Sequence, residues 1–497
     1  MAGSGVARRF YPDDPLAKEP PPMAVGEIRE EPGSAAGTFI HDTLHQRGDS
    51  KRLPARDINT VDEVPDNAWY TNRHYAHPLS NAQLSLGPGG QEPPVADQPW
   101  TVYEANEGQS PILRIEDSAG RRYALRFDPL QYIELTTGAD VVGARVLHAL
   151  GYNVPDNYAV RFGRSQLRTG ANVRFQRDGR RIPLGDSDLD HLLSLAPRYA
   201  DGSYRALASR IIDGTLVGQF EYYGTRGNDP NDTVPHEHRR VLRGLFVFSA
   251  WLDLADTRPV GTLDAIQMVD GVRAIRHYLT DFGSALGSGD LRPKESWEGH
   301  TYAVDFRWGL KEMLTLGVYS PKWERARSTG SPAAGRFESD TFDPGKWKPI
   351  YPNPAFDNRT VADCFWAAKQ VKSFTDEQIR TMIAAGEYSD PKTVEALTRD
   401  MIVRRDKIAT YYLRQTVPLD GFEVRTGTLR YKDLGGSGRY SIAWSRYDND
   451  TDKKTAIAGA ATFELPRVPG YLTADISDGL HRLTVYVTDG RVVGLNR

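Results

Sequence analysis

The stretch that most constrains the fold of this chain runs from His236 to Gly283. Its first part, HEHRRVLRGLFVFSAW (236–251), sets Leu242, Leu245, Phe246 and Phe248 among basic residues, the pattern of a helix buried on one side. Two β-type runs follow, Ala265–Val269 and Arg273–Leu279, with Asp270-Gly271 between them as a hairpin turn. The hairpin leads into Asp281-Phe282-Gly283, and Asp256 stands twenty-five residues before that triplet, in the loop leaving the helix. Phosphoryl transfer uses two such carboxylates, one near the attacking hydroxyl and one holding a metal against the nucleotide phosphates.

Each residue also has a plain structural explanation. Asp256 and Asp264 suit turns or helix ends, where they cap backbone groups. The triplet suits a tight turn after a strand, with Gly283 supplying a positive φ. Taken together, the order and spacing point to a site.

On these residues the chain resembles a family of bacterial proteins with an atypical, HipA-like/CotH-like protein-kinase-like fold. The stretches that carry the resemblance are INTVDEVPDNAWYTNR (58–73), ALRFDP (124–129), TGADVVGARVLHALGYNVP (137–155), FEYYGTRGNDPNDTVPHEHRR (220–240) and YLTDFGSALGS (278–288). The closer likeness spans roughly residues 55–497, and the kinase likeness about residues 100–400. It implies that Arg126 takes the place of the phosphate-binding strand lysine, and that Asp140 takes the place of the helix glutamate that pairs with it, with Glu134 as the alternative. It further implies that Asp256 is the catalytic-loop aspartate and Asp281 the metal ligand, with ATP and Mg²⁺ or Mn²⁺ as cofactors.

The chain departs from the family pattern at three of these positions. Arg126 with Asp140 spans a distance similar to a lysine–glutamate pair, but its planar fork differs from a point charge. Five residues after Asp256, where an asparagine is expected, stands Gly261, which has no side-chain oxygen; Asp264 or water is the candidate replacement. A bland alternative pairs Arg126 with Asp128 or Glu134 at the surface.

Other polar clusters have structural explanations. His236-Glu237-His238 places two histidines on different sides of a helix, so a structural role is expected, with Pro235 in a first turn and Asp232 and Thr233 as caps. The single cysteine, Cys364, is expected in the core. No G-x-S-x-G and no G-x-x-x-x-G-K-S occurs, so a nucleotide site here has to be of the kinase kind. The run 100–125 offers a β-hairpin lid with Gly108 and Gly120 in turns, without the G-x-G-x-x-G pattern.

A length of 497 residues allows two or three domains, and 39% hydrophobic and 26% charged residues with net charge −3 describe an ordinary globular chain without a nucleic-acid binder's basic excess. No apolar run reaches the length of a membrane span, and no signal peptide is visible, which leaves a cytoplasmic or an envelope location open.

The expected fold is α+β: a two-lobed kinase-like domain followed by a C-terminal β-sandwich. Residues 1–98 read as an extended arm and strap carrying Trp69, Tyr70 and Tyr75, and 99–222 as a mixed small lobe with strands near 112–115, 123–127 and 157–162 and a helix at 139–150. Residues 223–417 read as a helical lobe with helices around 236–253, 306–316, 361–371, 375–386 and 391–414. Residues 418–497 hold seven short alternating runs, at 422–425, 428–432, 440–446, 461–465, 471–476, 481–488 and 492–495. Two functions compete. One is an atypical kinase acting on a protein or small-molecule hydroxyl acceptor; the other is a catalytically impaired, pseudokinase-like binding or scaffold protein.

Overall fold

The computed structural model describes residues 8–28, 48–90, 92–108, 110–177, 180–304, 321–326, 330–436 and 438–497. The chain is an α+β protein. The expected helix at 306–316 lies outside the described residues.

The strap contains one short helix, α1 (Asn81–Leu86), where none was expected; Ser80 and Gln83 close a capping box at its start. Strands β1 (Trp100–Asn106), β2 (Ile112–Glu116) and β3 (Arg122–Arg126) form an antiparallel meander, followed by helix α2 (Leu135–Ala149). Next come β4 (Asn157–Phe162), β5 (Leu167–Thr169), β6 (Arg174–Arg177), β7 (Arg180–Pro183), helix α3 (Asp186–Ser194) and β8 (Tyr204–Arg210). The sheet runs in the order β4-β8-β3-β2-β1-β6-β7, with β5 also paired to β1. Leu189, Leu192 and Leu193 of α3 bury themselves against this sheet, at positions one helical turn apart.

Strand β9 (Thr215–Gly218) is followed by helix α4 (Arg240–Leu252) and the hairpin β10 (Thr262–Val269) and β11 (Val272–Leu279). Asp270 and Gly271 both have positive φ, 51° and 80°, as a two-residue hairpin turn requires. Helix α4 is buried all round rather than on one side. Its arginines tolerate this because they are paired: Arg240 and Arg243 both bond Asp363, and Arg240 also bonds Asp62.

Helices α5 (Pro354–Asp357), α6 (Val361–Lys372), α7 (Asp376–Ala384) and α8 (Pro391–Leu413) complete the helical part. Thr375 caps α7, its side chain accepting from the Gln378 N–H. Packed together, α2, α4 and α6–α8 share one apolar core, into which the strap inserts Trp69 and Tyr70. Burial drives the Cys364 thiol in that core up to about 12.

The C-terminal strands are β12 (Leu419–Arg425), β13 (Thr428–Asp433), β14 (Ser441–Asp448), β15 (Lys453–Ala456), β16 (Tyr471–Ser477), β17 (Arg482–Thr488) and β18 (Arg491–Asn496). They make a two-stranded sheet and a five-stranded sheet ordered β15-β14-β16-β17-β18, which share one core around Trp444. The run 461–465 is not a strand, apart from a single bridge at Glu464, and β15 occupies a stretch with no apolar alternation. Phe10 of the N-terminal arm inserts among Tyr447, Tyr471 and Tyr486 of the larger sheet, and Asn449 bonds both its N–H and its carbonyl.

Candidate functional site

Helix α2 positions the first half of the site. Its N-terminus is capped from outside: the Asp128 carboxylate accepts the N–H groups of Glu134, Thr136 and Thr137 at 2.8–2.9 Å, which offsets the helix-end donors. Asp128 is therefore not the surface partner of Arg126. Glu134 faces elsewhere too, accepting from the Tyr199 hydroxyl and the Ser389 N–H.

Asp140, one turn into α2, is the residue that meets Arg126. The Arg126 Nη2 lies 2.5 Å from Asp140 Oδ2, while Nη1 lies 3.3 Å from Asp281 Oδ1. One guanidinium thus bridges the helix carboxylate and the Asp-Phe-Gly carboxylate, using one arm of its planar fork for each. Asp140 Oδ1 accepts from Asn157 at 2.8 Å. Its side chain is 0% exposed, whereas that of Asp281 is 39% exposed, so Asp281 alone of the two can meet a ligand directly.

The Asp-Phe-Gly turn is held by an Asp281 Oδ1 bond from the Gly283 N–H. Gly283 is required for space and not for a positive φ: a Cβ there would lie 2.3 Å from Asp290 Oδ1 and 2.9 Å from Thr136 Cγ2. Asp290 is thereby folded over the triplet, with its carbonyl accepting from the Thr136 hydroxyl and its own φ at 66°. The sequence reasoning missed Asp290; the only sign of it was a glycine-flanked aspartate a few residues past the triplet.

Asp256 sits one layer out. Arg258 holds both its oxygens, at 2.8 Å and 2.5 Å, and the Asp256 N–H donates to the Ser284 hydroxyl just after the triplet. It does not line the cavity described below, but its charge is felt at Asp290. Gly261 packs directly on the metal-position aspartate: a Cβ on it would lie 3.4 Å from Asp281 Cβ, and its carbonyl accepts the Thr280 N–H. Asp264 is not a replacement for the missing asparagine. It is fully buried on β10, bonded to Arg226 at 2.7 Å and to His277 at 2.7 Å.

These groups close one end of a cavity of about 380 Å³. Its polar wall is Arg126, Thr136, Asp140, Asp281 and Asp290; its apolar wall includes Ile112, Phe127, Leu207 and Leu291. Ser110 and Pro111, from the β1–β2 connection, form the rim where a lid is expected. Three carboxylates of the lining, those of Asp140, Asp281 and Asp290, stand against the one guanidinium of Arg126, so acid is in excess. Burial, then Asp281 and Asp256, push the Asp290 carboxyl up to about 8. Burial likewise raises Asp140, to about 7, against the pull of Arg126. Burial opposes the charge on Arg126, but Asp140, Asp281 and Asp290 outweigh it and hold the guanidinium above its ordinary value.

A cation would relieve this excess. Among the described residues no group of three or more His, Cys, Asp or Glu is placed to hold a metal by protein ligands alone. Two carboxylates suffice for Mg²⁺ when phosphate oxygens and water supply the rest, and Asp281 with Asp290 fit that role. The His236-Glu237-His238 cluster does not converge on a metal: His236 bonds Asp232 and the Glu221 carbonyl, while His238 bonds Arg243. Asp232 serves His236 and Arg239 and caps no helix, so that expectation is corrected.

The fold and site define an α+β protein with an acidic cavity spanned by one arginine. No family model, no curated protein and no solved structure matches the chain. Among the described residues no helix is long and apolar enough to cross a membrane.

Proposed function

We propose that this cavity binds a nucleoside triphosphate with a divalent cation, ATP with Mg²⁺ or Mn²⁺, in a two-lobed kinase-like arrangement. The sheet β1–β8 with α2 and α3 acts as the smaller lobe, α4–α8 as the larger, and the C-terminal strands as an appended sandwich. The observation that carries this reading is the bridge from Asp140 through Arg126 to Asp281 at the closed end of a cavity of nucleotide-binding size. Arg126 contacts phosphate, Asp140 orients Arg126, Asp281 with Asp290 binds the cation, and Asp256 orients the hydroxyl of a protein or small-molecule acceptor. Arg126 would have to exchange part of its contact with Asp281 for phosphate, while its contact with Asp140 anchors the guanidinium through the exchange.

A second reading, a catalytically impaired binding or scaffold protein, is favoured by Asp256. Arg258 occupies both oxygens of that carboxylate, and Gly261 offers no side-chain oxygen beside Asp281. In this reading the cavity still binds nucleotide, and the strap and C-terminal sheets make the contacts that matter. Transfer of label from γ-phosphate-labelled ATP, to the protein itself or to water, separates the two. Label transfer lost in Asp256→Asn supports the kinase; none in the wild type, with nucleotide still bound, supports the scaffold; neither binding nor transfer rejects both.

A further inference from the structure

A second cavity, of about 390 Å³, lies where the strap, the end of α2, the end of β8 and the β10–β11 hairpin meet. Three arginines line it. Arg276 projects from β11 on the same face as Tyr278, two residues on, and Arg210 ends β8 opposite Tyr123, with its guanidinium 5.5 Å from that ring. Arg73, from the strap, donates at 2.8 Å to each of two main-chain carbonyls, His148 and Tyr152, where α2 ends.

Among the described residues no carboxylate lies within ion-pairing distance of any of the three. Two acids also line the cavity, neither at ion-pairing distance from the three: Asp156, which accepts the Gly89 N–H and whose pKa burial raises against the pull of Arg145 and Arg210, and Asp213. The Nε atoms of Arg210 and Arg276 are buried with no hydrogen-bond partner. Burial, aggravated by Arg276, pulls Arg73 down to about 10, and burial with Arg73 and Arg145 pulls His148 down to about 3. Arg73 and Arg210 donate to main-chain carbonyls, but none of the three half-buried guanidiniums has a carboxylate partner, an arrangement that an anion would complete.

We propose that this cavity is a second binding site, which takes the phosphate group of a small molecule between Arg73, Arg210 and Arg276. Val154, Pro155, Ile211 and Ile212 supply an apolar wall for the remainder of such a ligand. The site is independent of the nucleotide cavity in its residues. Occupation would clamp the end of α2, which carries Asp140, to the strand that delivers Asp281.

The test is thermal unfolding of the full chain titrated with inorganic phosphate against chloride at equal ionic strength. Phosphate is expected to raise Tm. Arg276→Gln is expected to weaken the apparent affinity by about tenfold or more, while leaving the phosphate-free Tm unchanged or higher, because a repulsion with Arg73 is removed. Arg210→Gln is expected to weaken affinity in the same direction, and carries the test if Arg276→Gln does not fold. Three results would overturn the assignment: no phosphate-specific rise, a rise undiminished in the variants, or a rise abolished by Arg126→Gln, which would place the anion in the nucleotide cavity. An Arg276→Gln variant that loses stability but keeps the phosphate response would show a structural arginine and overturn it too.

Discussion

Arg126 lies 2.5 Å from the carboxylate of Asp140 and 3.3 Å from that of Asp281, so the Asp-Phe-Gly turn is tied to helix α2 through one guanidinium. The Asp140 carboxylate that anchors this arginine also accepts from Asn157. The position of Asp281 is thereby set by a residue that itself never reaches the ligand.

Removing the Asp140 carboxylate leaves donors of two groups, Arg126 and Asn157, without their partner. Asp140→Ala is expected to cost roughly 3 kcal/mol or more of unfolding free energy, the usual consequence of deleting one partner of a buried ion pair. Urea denaturation checks it, and a loss under about 1 kcal/mol would mean that water replaces the carboxylate without strain.

Phe282 is also positioned by a missing side chain. It is fully buried against Gly143, where an added Cβ would lie 2.5 Å from its own Cβ. Gly143→Ala is expected to destabilise the protein by about 1–3 kcal/mol through overpacking and to weaken nucleotide binding with it. Full stability with unchanged binding would show that the turn can shift freely.

Asp290 predicts a pH dependence. With a folded value of about 8 against an ordinary 3.8, the native protein holds a proton that the unfolded chain releases across that window. This contribution to stability is therefore present at low pH and is lost as pH rises toward 8. Asp290→Asn is expected to flatten the fall in Tm between about pH 5 and pH 9, and Mg²⁺ affinity of the wild type is expected to rise over the same range as the competing proton leaves. Parallel pH profiles of Tm for wild type and variant check both; identical slopes would remove Asp290 from the site's electrostatics.

In the proposed site Gly261 takes the position where the kinase pattern has an oxygen ligand, and an added Cβ there makes only ordinary contact with Asp281. Gly261→Asn is expected to be tolerated and to tighten Mg²⁺-dependent ATP binding several-fold. Calorimetry of the variant reads this directly; unchanged affinity in a folded variant would mean that the metal does not sit beside Asp281.

What was legible in the sequence is what local pattern determines. The hairpin at Asp270-Gly271 and the helix behind Asp140 follow from periodicity and turn chemistry, while the pairing of Arg126 with Asp140 was an implication of the kinase resemblance alone. Asp290 was illegible because its approach to Asp281 depends on a loop path that only Gly283 and a positive φ permit. Asp264 was misplaced for a related reason: its partner Arg226 lies thirty-eight residues upstream and claims it for the interior. In the C-terminal sheets, β15 is exposed along its whole length and so has no alternation to read, while 461–465 is apolar without being paired as a strand.

The central claim is that one cavity holds nucleotide and cation against Asp281. Isothermal calorimetry of the full chain with ATP, with and without Mg²⁺, tests it most directly when repeated on Asp281→Asn. The account predicts metal-dependent binding in the wild type that falls by about tenfold or more in the variant. No binding at millimolar ATP, or binding that is the same in the variant and indifferent to Mg²⁺, would contradict it.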